Sequence, residues 1–255
     1  MAKNTALALL AAASLSLAGA SGAAAAEIKV LTAGAFKQMV LALVPDFEKQ
    51  SGHKVTVDNG TAGELKQRIE GGEAFDVAVI TPGVIDELVS KGKIASGTKV
   101  NIASVGVGVV VKDGAPKPDI STVDKFKQAL LAAKSVAYID PAAGGSSGIY
   151  VGKLLERLGI AKEVNAKAVL VHGGEVATHV VDGEAEVGIH QISEILAVKG
   201  AVLVGPLPAA IQNFTVYAAG VAAGDGAAAK SLVKFLAGPH AISIIKSKGM
   251  EPARS

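Results

Sequence analysis

The sequence predicts an α/β protein of two lobes, each a mostly parallel sheet flanked by helices. Short apolar runs alternate with helical patterns almost from end to end, which is typical of parallel strands joined by crossover helices. Two longer apolar, strand-forming runs, Ile102 to Lys112 and Phe214 to Ala223, interrupt that alternation. We expect these two runs to cross between the lobes as antiparallel strands and to act as a hinge.

The remaining strands are expected where short apolar and β-branched runs lie between turn signals. They are Ile28 to Thr32, Lys54 to Asp58, Asp76 to Ile80, Val136 to Ile139, Ala168 to Val171, Val187 to His190 and Ala201 to Val204. Helices are expected in the intervals between them.

Helix starts are marked by capping residues. Thr61 to Glu64 has the pattern of a capping box, and the helix it begins should end near Gly71. Thr81 precedes a proline, a residue favoured in the first helical turn. Ser121 is expected to cap a helix over Thr122 to Lys134.

Apolar spacing identifies two further helices. Phe36 to Phe47 carries apolar residues at helical spacing, and Pro45 is expected to kink or split this helix. Val151 to Leu158 has the same spacing, and Gly159 should end that helix. These apolar side chains are expected in the core.

The chain begins with the features of a cleavable secretory signal peptide, residues 1–26. Lys3 is followed by an apolar run from Ala6 to about Ala18, and small residues extend to Ala26. The apolar run is shorter than the roughly 20 residues that a membrane span needs. We therefore expect an exported protein of the periplasm that is not anchored in a membrane.

The mature chain is long enough for two lobes of about 100 residues each. We assign residues 27–106 and 214–255 to lobe 1 and residues 107–213 to lobe 2. The hinge strands fall near residues 103–112 and 214–223. Two C-terminal helices, Asp225 to Ala237 and Pro239 to Lys248, should complete lobe 1.

Composition excludes several kinds of function. The net charge is +2 and no basic block is present, which argues against nucleic-acid binding. The chain has no cysteine, so it can form neither disulfides nor the lipid anchor of a bacterial lipoprotein. Its only arginines are Arg68, Arg157 and Arg254, so a dicarboxylate clamped by arginine side chains is disfavoured.

One motif raises the alternative of a serine hydrolase. Gly144 to Gly148 matches the G-x-S-x-G nucleophile elbow, and Asp182 and His190 follow Ser146 in the order that α/β-hydrolases use. Four residues, Asp140 to Ala143, separate the expected strand from the motif, whereas an elbow requires a sharp strand-to-helix turn. No upstream oxyanion segment is present, so we keep this arrangement as the alternative only.

The histidines do not form a recognisable metal motif. His172, His179 and His190 are seven and eleven residues apart, whereas metal sites usually contain tighter pairs. We therefore expect no metal and no cofactor.

Four segments place glycine or hydroxyl residues where a strand passes into a helix. Glycine lets an anion approach the backbone, and a helix N-terminus supplies free N–H groups and partial positive charge. In a two-lobed α/β protein such segments meet in one crevice. They are Thr32 to Ala35, Gly60 to Gly63, Gly144 to Gly148 and Gly173 to Val176.

Several stretches, in order along the mature chain, resemble the periplasmic molybdate-binding proteins of ABC importers. They are Ile28 to Phe36, Gly63 to Gly72, Phe75 to Ile80, Ser147 to Tyr150, Leu155 to Gly159 and Val187 to Ile189. The resemblance implies the type II periplasmic binding protein fold, in which two lobes close on a ligand by a hinge motion. It also implies a non-catalytic monomer that delivers a small, anionic solute to an ABC permease in the inner membrane. A receptor that presents a solute to a membrane sensor shares the same fold and stays an alternative.

The resemblance also implies where the ligand lies. The family's two serines fall at Gly34 or Ala35 and at Gly63, its backbone donors fall at Ser147 and Val176, and its tyrosine falls at His190 or Gln191. The three side-chain donors are therefore missing from these positions. The candidate replacements are Thr32, Thr61, Ser146, His190 and Gln191.

A different small ligand is therefore expected, since each hydrogen bond to a charged group contributes roughly 1.5 to 3 kcal/mol. An organic anion and a neutral polar solute are equally compatible with these residues. If His190 faces the cleft, its protonation would make anion capture depend on pH.

Overall fold

The computed structural model describes residues 25–224 and 226–253. The predicted signal peptide lies almost wholly outside these residues. The strands are β1 (Glu27–Ala33), β2 (Lys54–Gly60), β3 (Val77–Ile80), β4 (Val100–Lys112), β5 (Val136–Ile139), β6 (Ala168–Val171), β7 (Val187–Gln191), β8 (Ala201–Pro206), β9 (Phe214–Val221) and β10 (Glu251–Pro252). The helices are α1 (Gly34–Ser51), α2 (Ala62–Glu70), α3 (Pro82–Ser90), α4 (Val123–Ala132), α5 (Ser146–Arg157), α6 (Ala161–Asn165), α7 (Val176–Val181), α8 (Ile192–Ile195), α9 (Ala227–Leu236) and α10 (Ala241–Ser247).

The long strand β4 belongs to two sheets. In the first sheet the order is β2-β1-β3-β9-β4, with β1 parallel to both of its neighbours and β9 antiparallel to β3 and β4. In the second, β4 pairs antiparallel with β7 and β8, and β5 lies parallel between β7 and β6. The predicted α/β class is confirmed: β2-β1-β3 and β7-β5-β6 are parallel, and antiparallel strands join them, of which β4 pairs in both sheets.

The core divides where β4 changes partners. Val100 to Gly106 pairs with β9, and Ile102 and Val105 pack in the core of the first sheet. Val107 and the following residues pair with β7 and β8, and Val107 and Val109 pack in the core of the second sheet. We call the two bodies lobe 1 and lobe 2; the boundaries at residues 106 and 213 remain a prediction.

The expected strands are all present, most of them extended by one or two residues, and the helix signals hold with two corrections. Thr61 accepts a hydrogen bond from the Glu64 amide, so the predicted cap of α2 is confirmed. The cap of α4 is Thr122 rather than Ser121, because the Thr122 hydroxyl accepts from the Lys125 amide. Pro45 does not split α1, which is one helix of 18 residues. No helix in the described ranges has the length and apolar character required to cross a membrane.

Helix α5 packs unusually closely against strand β5. A Cβ atom built on Gly148 would clash with the carbonyl group of Ile139, lying 2.9 Å from its carbon. Only glycine permits this approach, because the contacted atoms are backbone and cannot rotate away. This contact fixes the position of the first turn of α5.

We expect Gly148→Ala to lower the free energy of unfolding by about 1 to 3 kcal/mol, the usual cost of overpacking a core. The matched control is Gly83→Ala in the first turn of α3, where a built Cβ meets no atom within 4 Å. Urea unfolding followed by circular dichroism measures both variants. Equal stabilities of the two variants would contradict the proposed role of Gly148.

Candidate ligand-binding cleft

A cavity of about 340 Å³ lies between the lobes. It is at the carboxyl ends of β1, β2, β5 and β7, where each strand passes into a turn or helix. Ligands of open α/β sheets bind at such strand ends. The volume is at the lower end of the range of roughly 300 to 1,000 Å³ for small-molecule sites.

The N-termini of α1, α2 and α5 all lie at this cavity. Gly34 and Ala35 begin α1, Thr61 caps α2, and Ser146 and Ser147 begin α5; all of them line the wall. The first N–H groups of a helix have no partner within the helix and carry partial positive charge. Two N-termini from lobe 1 therefore face one from lobe 2 across the same space.

A hydrogen-bonded chain joins the lobes beside the cavity. The Tyr217 hydroxyl in β9 donates to the Gln191 side-chain oxygen at 2.8 Å, and the Gln191 amide nitrogen donates to the Ser146 hydroxyl at 2.8 Å. Burial, with Glu194 nearby, raises the pKa of Tyr217, so its hydroxyl stays protonated. This network orients Gln191 and Ser146 through a hinge-strand residue.

The cavity wall also contains a buried imidazole and carboxyl in contact. His190 at the end of β7 is 2% exposed, and its Nε2 lies 3.2 Å from Oε2 of Glu194, which is one helical turn further along the chain. Burial lowers the pKa of His190 to about 3, while burial and the nearby Glu175 raise the pKa of Glu194 to about 8. Both directions favour the uncharged side chains near neutral pH, and the lowered pKa of His190 argues against the expected charge switch on this residue.

The two lobes touch next to the cavity. The Thr61 hydroxyl donates to the Ala143 carbonyl at 2.5 Å, and the Gly63 amide donates to the Gly144 carbonyl at 3.2 Å. A Cβ on Gly63 would be only 3.0 Å from the Gly144 Cα. The lobes are thus closed on each other, and glycines allow the backbones to meet.

The structure brings most of the predicted site residues to one wall. Gly34, Ala35, Thr61, Ser146, Ser147, His190 and Gln191 all line the cavity. Two predicted residues do not. Gly63 makes the contact between lobes, and Val176, the first residue of α7, has its side chain fully buried in the core of lobe 2.

Sequence reasoning missed other residues of the wall, namely Lys37, Asn59, Glu64, Glu175, Glu194 and Tyr217. The sequence suggested that the family's tyrosine was absent, but Tyr217 reaches the cavity from β9 instead. Glu194 follows His190 by four residues, the spacing of neighbours on a helix, and this was the available signal for the pair.

The hydrolase alternative is wrong, because its residues do not meet. Ser146 bonds to Gln191, His190 lies against Glu194, and Asp182 is exposed at the end of α7. The other two histidines considered as metal ligands also have separate partners: His172 lies near Asp140 and His179 near Glu184. No group of metal-ligating side chains is found in the described part of the chain.

Comparison with known proteins places this architecture in a family. A family model described as bacterial extracellular solute-binding protein matches residues 28–251. The chain belongs to this family. The predicted resemblance to molybdate-binding proteins is confirmed within this solute-binding family.

Two curated relatives of the solute-binding family carry different names. An aconitate isomerase of a Pseudomonas species is 33% identical, with 88% of this chain and 87% of that protein covered. The molybdate-binding protein ModA of Azotobacter vinelandii is 28% identical, with 90% and 92% covered. A solved periplasmic molybdate-binding protein of A. vinelandii superposes with a TM-score of 0.74 at 21% identity, covering 89% of this chain and all of that one. This superposition confirms the type II fold.

We expect Glu194→Gln to stabilise the ligand-free protein above neutral pH. A glutamate in an unfolded chain has a pKa of about 4.3, so between that pH and about 8 the folded state holds the extra proton. The wild-type free energy of unfolding should therefore fall as pH rises through this window, by up to about 1.4 kcal/mol per pH unit. The variant lacks this loss because an amide does not ionise.

Urea unfolding at pH 5 and pH 8 measures the effect, and the variant should gain stability over wild type only at the higher pH. Glu163→Gln, at an exposed position on α6, is the matched control and should follow the wild-type trend. Parallel pH trends in wild type and Glu194→Gln would show that Glu194 is ionised in the folded protein.

Proposed function

We propose that this protein is a periplasmic solute-binding protein that captures a small organic carboxylate between its lobes and delivers it to an ABC permease. The observation that supports this most directly is the convergence of three helix N-termini on one interlobe cavity. Free N–H groups and aligned helix dipoles favour an anion at that point. The proposed location in the periplasm follows from the predicted signal peptide and from the family.

Neither of the arginines in the described part of the chain lines the cavity. Arg68 is bound to Glu73 and Asp58 on the outside of lobe 1, and Arg157 lies over the Tyr150 ring. Lys37 is the cationic side chain of the wall. Backbone N–H groups and hydroxyls would therefore supply most of the hydrogen bonds, which explains how the scarcity of arginine is compatible with an anionic ligand.

Two features favour a carboxylate over a tetrahedral oxyanion. Ala33, Gly34 and Ala35 supply no hydroxyl at the start of α1, where a compact oxyanion would need direct side-chain donors. The wall also includes the carboxyl groups of Glu175 and Glu194 and the imidazole of His190. These groups suit an organic ligand that has both carboxylate groups and a carbon skeleton and is larger than a tetrahedral oxyanion. The relative named aconitate isomerase provides a specific candidate, aconitate.

We expect cis-aconitate or trans-aconitate to bind more tightly than sulfate or molybdate in a thermal-shift panel confirmed by calorimetry. A ligand at 100 times its Kd stabilises the folded state by about 2.7 kcal/mol, which is easily detected. Submicromolar binding of molybdate without binding of either aconitate isomer would refute the proposed ligand class.

Ser147 provides the matched test of position. Its side chain lines the cavity at the start of α5, and Ser147→Ala removes one donor to the anion. We expect the affinity for the bound carboxylate to fall about 10- to 150-fold, the effect of one hydrogen bond to a charged group. Ser90→Ala, at an exposed position of α3, is the control and should leave the affinity unchanged.

A second candidate function is isomerisation of the bound carboxylate by proton transfer. The buried His190 and Glu194 pair favours it, together with the name of the relative at 33% identity. The pair would accept one proton from a carbon atom next to the double bond. It would return one proton to the carbon atom at the other end of the shifted double bond. The sum of atoms and charge is unchanged, and no cofactor is required. This function would replace the expectation of a non-catalytic protein.

Proton NMR of cis-aconitate in deuterated water tests this second function. We expect the trans isomer to appear and to carry deuterium, since the abstracted proton exchanges with solvent. His190→Gln should stop the conversion even at ligand concentrations that saturate the variant. Binding of cis-aconitate without any conversion by the wild-type protein would restrict the function to capture.

A further inference from the structure

The His190 and Glu194 pair has an unsatisfied buried atom. Nδ1 of His190 has no hydrogen-bond partner among the described residues, although the residue is almost fully buried. A buried polar atom without a partner is costly, and in a native protein it calls for an explanation. Nδ1 itself has no accessible surface, so a ligand in the cavity reaches the pair through the side chain of Glu194, which lines the cavity and is 12% exposed.

The groups around the pair do not supply a compensating charge. Glu175, which precedes α7, is the carboxyl whose charge acts on Glu194. Tyr217 in β9 is already hydrogen-bonded to Gln191. Lys37 in α1 and Glu64 in α2 line the same cavity, and their opposite charges offset each other. An ionised Glu194 would therefore place a further negative charge in a wall that already contains Glu175 and Glu64.

The proton on the pair removes that charge. Burial keeps the pKa of Glu194 near 8 and that of His190 near 3, so at neutral pH the pair is uncharged and holds one proton that it loses only in alkaline solution. A neutral carboxyl group can donate a hydrogen bond to an anion, whereas a carboxylate at the same place repels the anion.

We propose that the His190 and Glu194 pair anchors an acidic group of the ligand and that the ligand binds only to the form of the pair that holds this proton. The inference rests on the proposed capture of a carboxylate in this cleft. The pair would thus carry its proton before the anion binds. Above the pKa of the pair, the binding-competent fraction falls about tenfold per pH unit, and the affinity falls with it.

The test is the Kd of cis-aconitate measured by calorimetry from pH 7 to pH 9.5, where the ligand's own carboxyl groups stay ionised. We expect a constant Kd up to about pH 7.5 and a rise approaching tenfold per pH unit above pH 8. Glu194→Gln should show no such rise, because its amide stays neutral. Glu175→Gln is the matched control: the rise should remain but begin at a lower pH, since one charge that opposes ionisation of Glu194 is lost.

An unchanged Kd across this range, or a rise that persists in Glu194→Gln, would overturn the inference while leaving carboxylate capture intact. Absence of cis-aconitate binding at every pH would instead overturn the proposed function, and this inference with it.

The ligand-free protein provides an independent readout. In nitrogen-15 spectra of labelled histidine, His190 should stay uncharged from pH 5 to pH 8 and should shift near pH 8 as the neighbouring carboxyl ionises. The spectra of Glu194→Gln should lack that shift. Protonation of His190 near pH 6.5 in the wild type would overturn the inference.

Discussion

The cleft depends on one strand, β4, which both sheets share. Because β3 and β4 are both antiparallel to β9, β4 runs in the same direction as β1 and β3. The second sheet pairs with the far half of β4 through the antiparallel strand β7, to which β5 is parallel. The strands of the two lobes therefore run in opposite directions, and their carboxyl ends meet. The helices that follow these ends must begin in one space.

This arrangement determines the electrostatics of the site. Helix N-termini supply partial positive charge from fixed backbone positions, so the wall does not need a cluster of cationic side chains. The buried side chains, His190, Glu194 and Tyr217, are uncharged at neutral pH because burial disfavours their ionised forms. A largely neutral, donor-rich wall is suited to an anion, and it also leaves a carboxyl and an imidazole available for proton transfer.

Local signals in the sequence predicted the fold well. Apolar runs identified the strands because a buried strand must carry apolar residues on both faces. Thr61 identified the start of α2 because its hydroxyl satisfies a free N–H group of the first turn. The error at Ser121 and Thr122 is of one residue, since either hydroxyl can cap a helix and only the backbone conformation selects one. Pro45 does not split α1, which buries Leu43 and Phe47 on either side of it.

The sequence by itself determined the helix N-termini of the cleft, because each is marked by glycine or a hydroxyl residue in the segment that joins a strand to a helix. Only the tertiary structure decided which side chains share the space. Tyr217 reaches Ser146 across 71 residues of sequence, and Glu175, which precedes α7, acts on Glu194 in α8. Such neighbours depend on strand order and register, which local periodicity does not specify. The charge state of His190 was decided in the same way, since burial and not residue type holds it neutral.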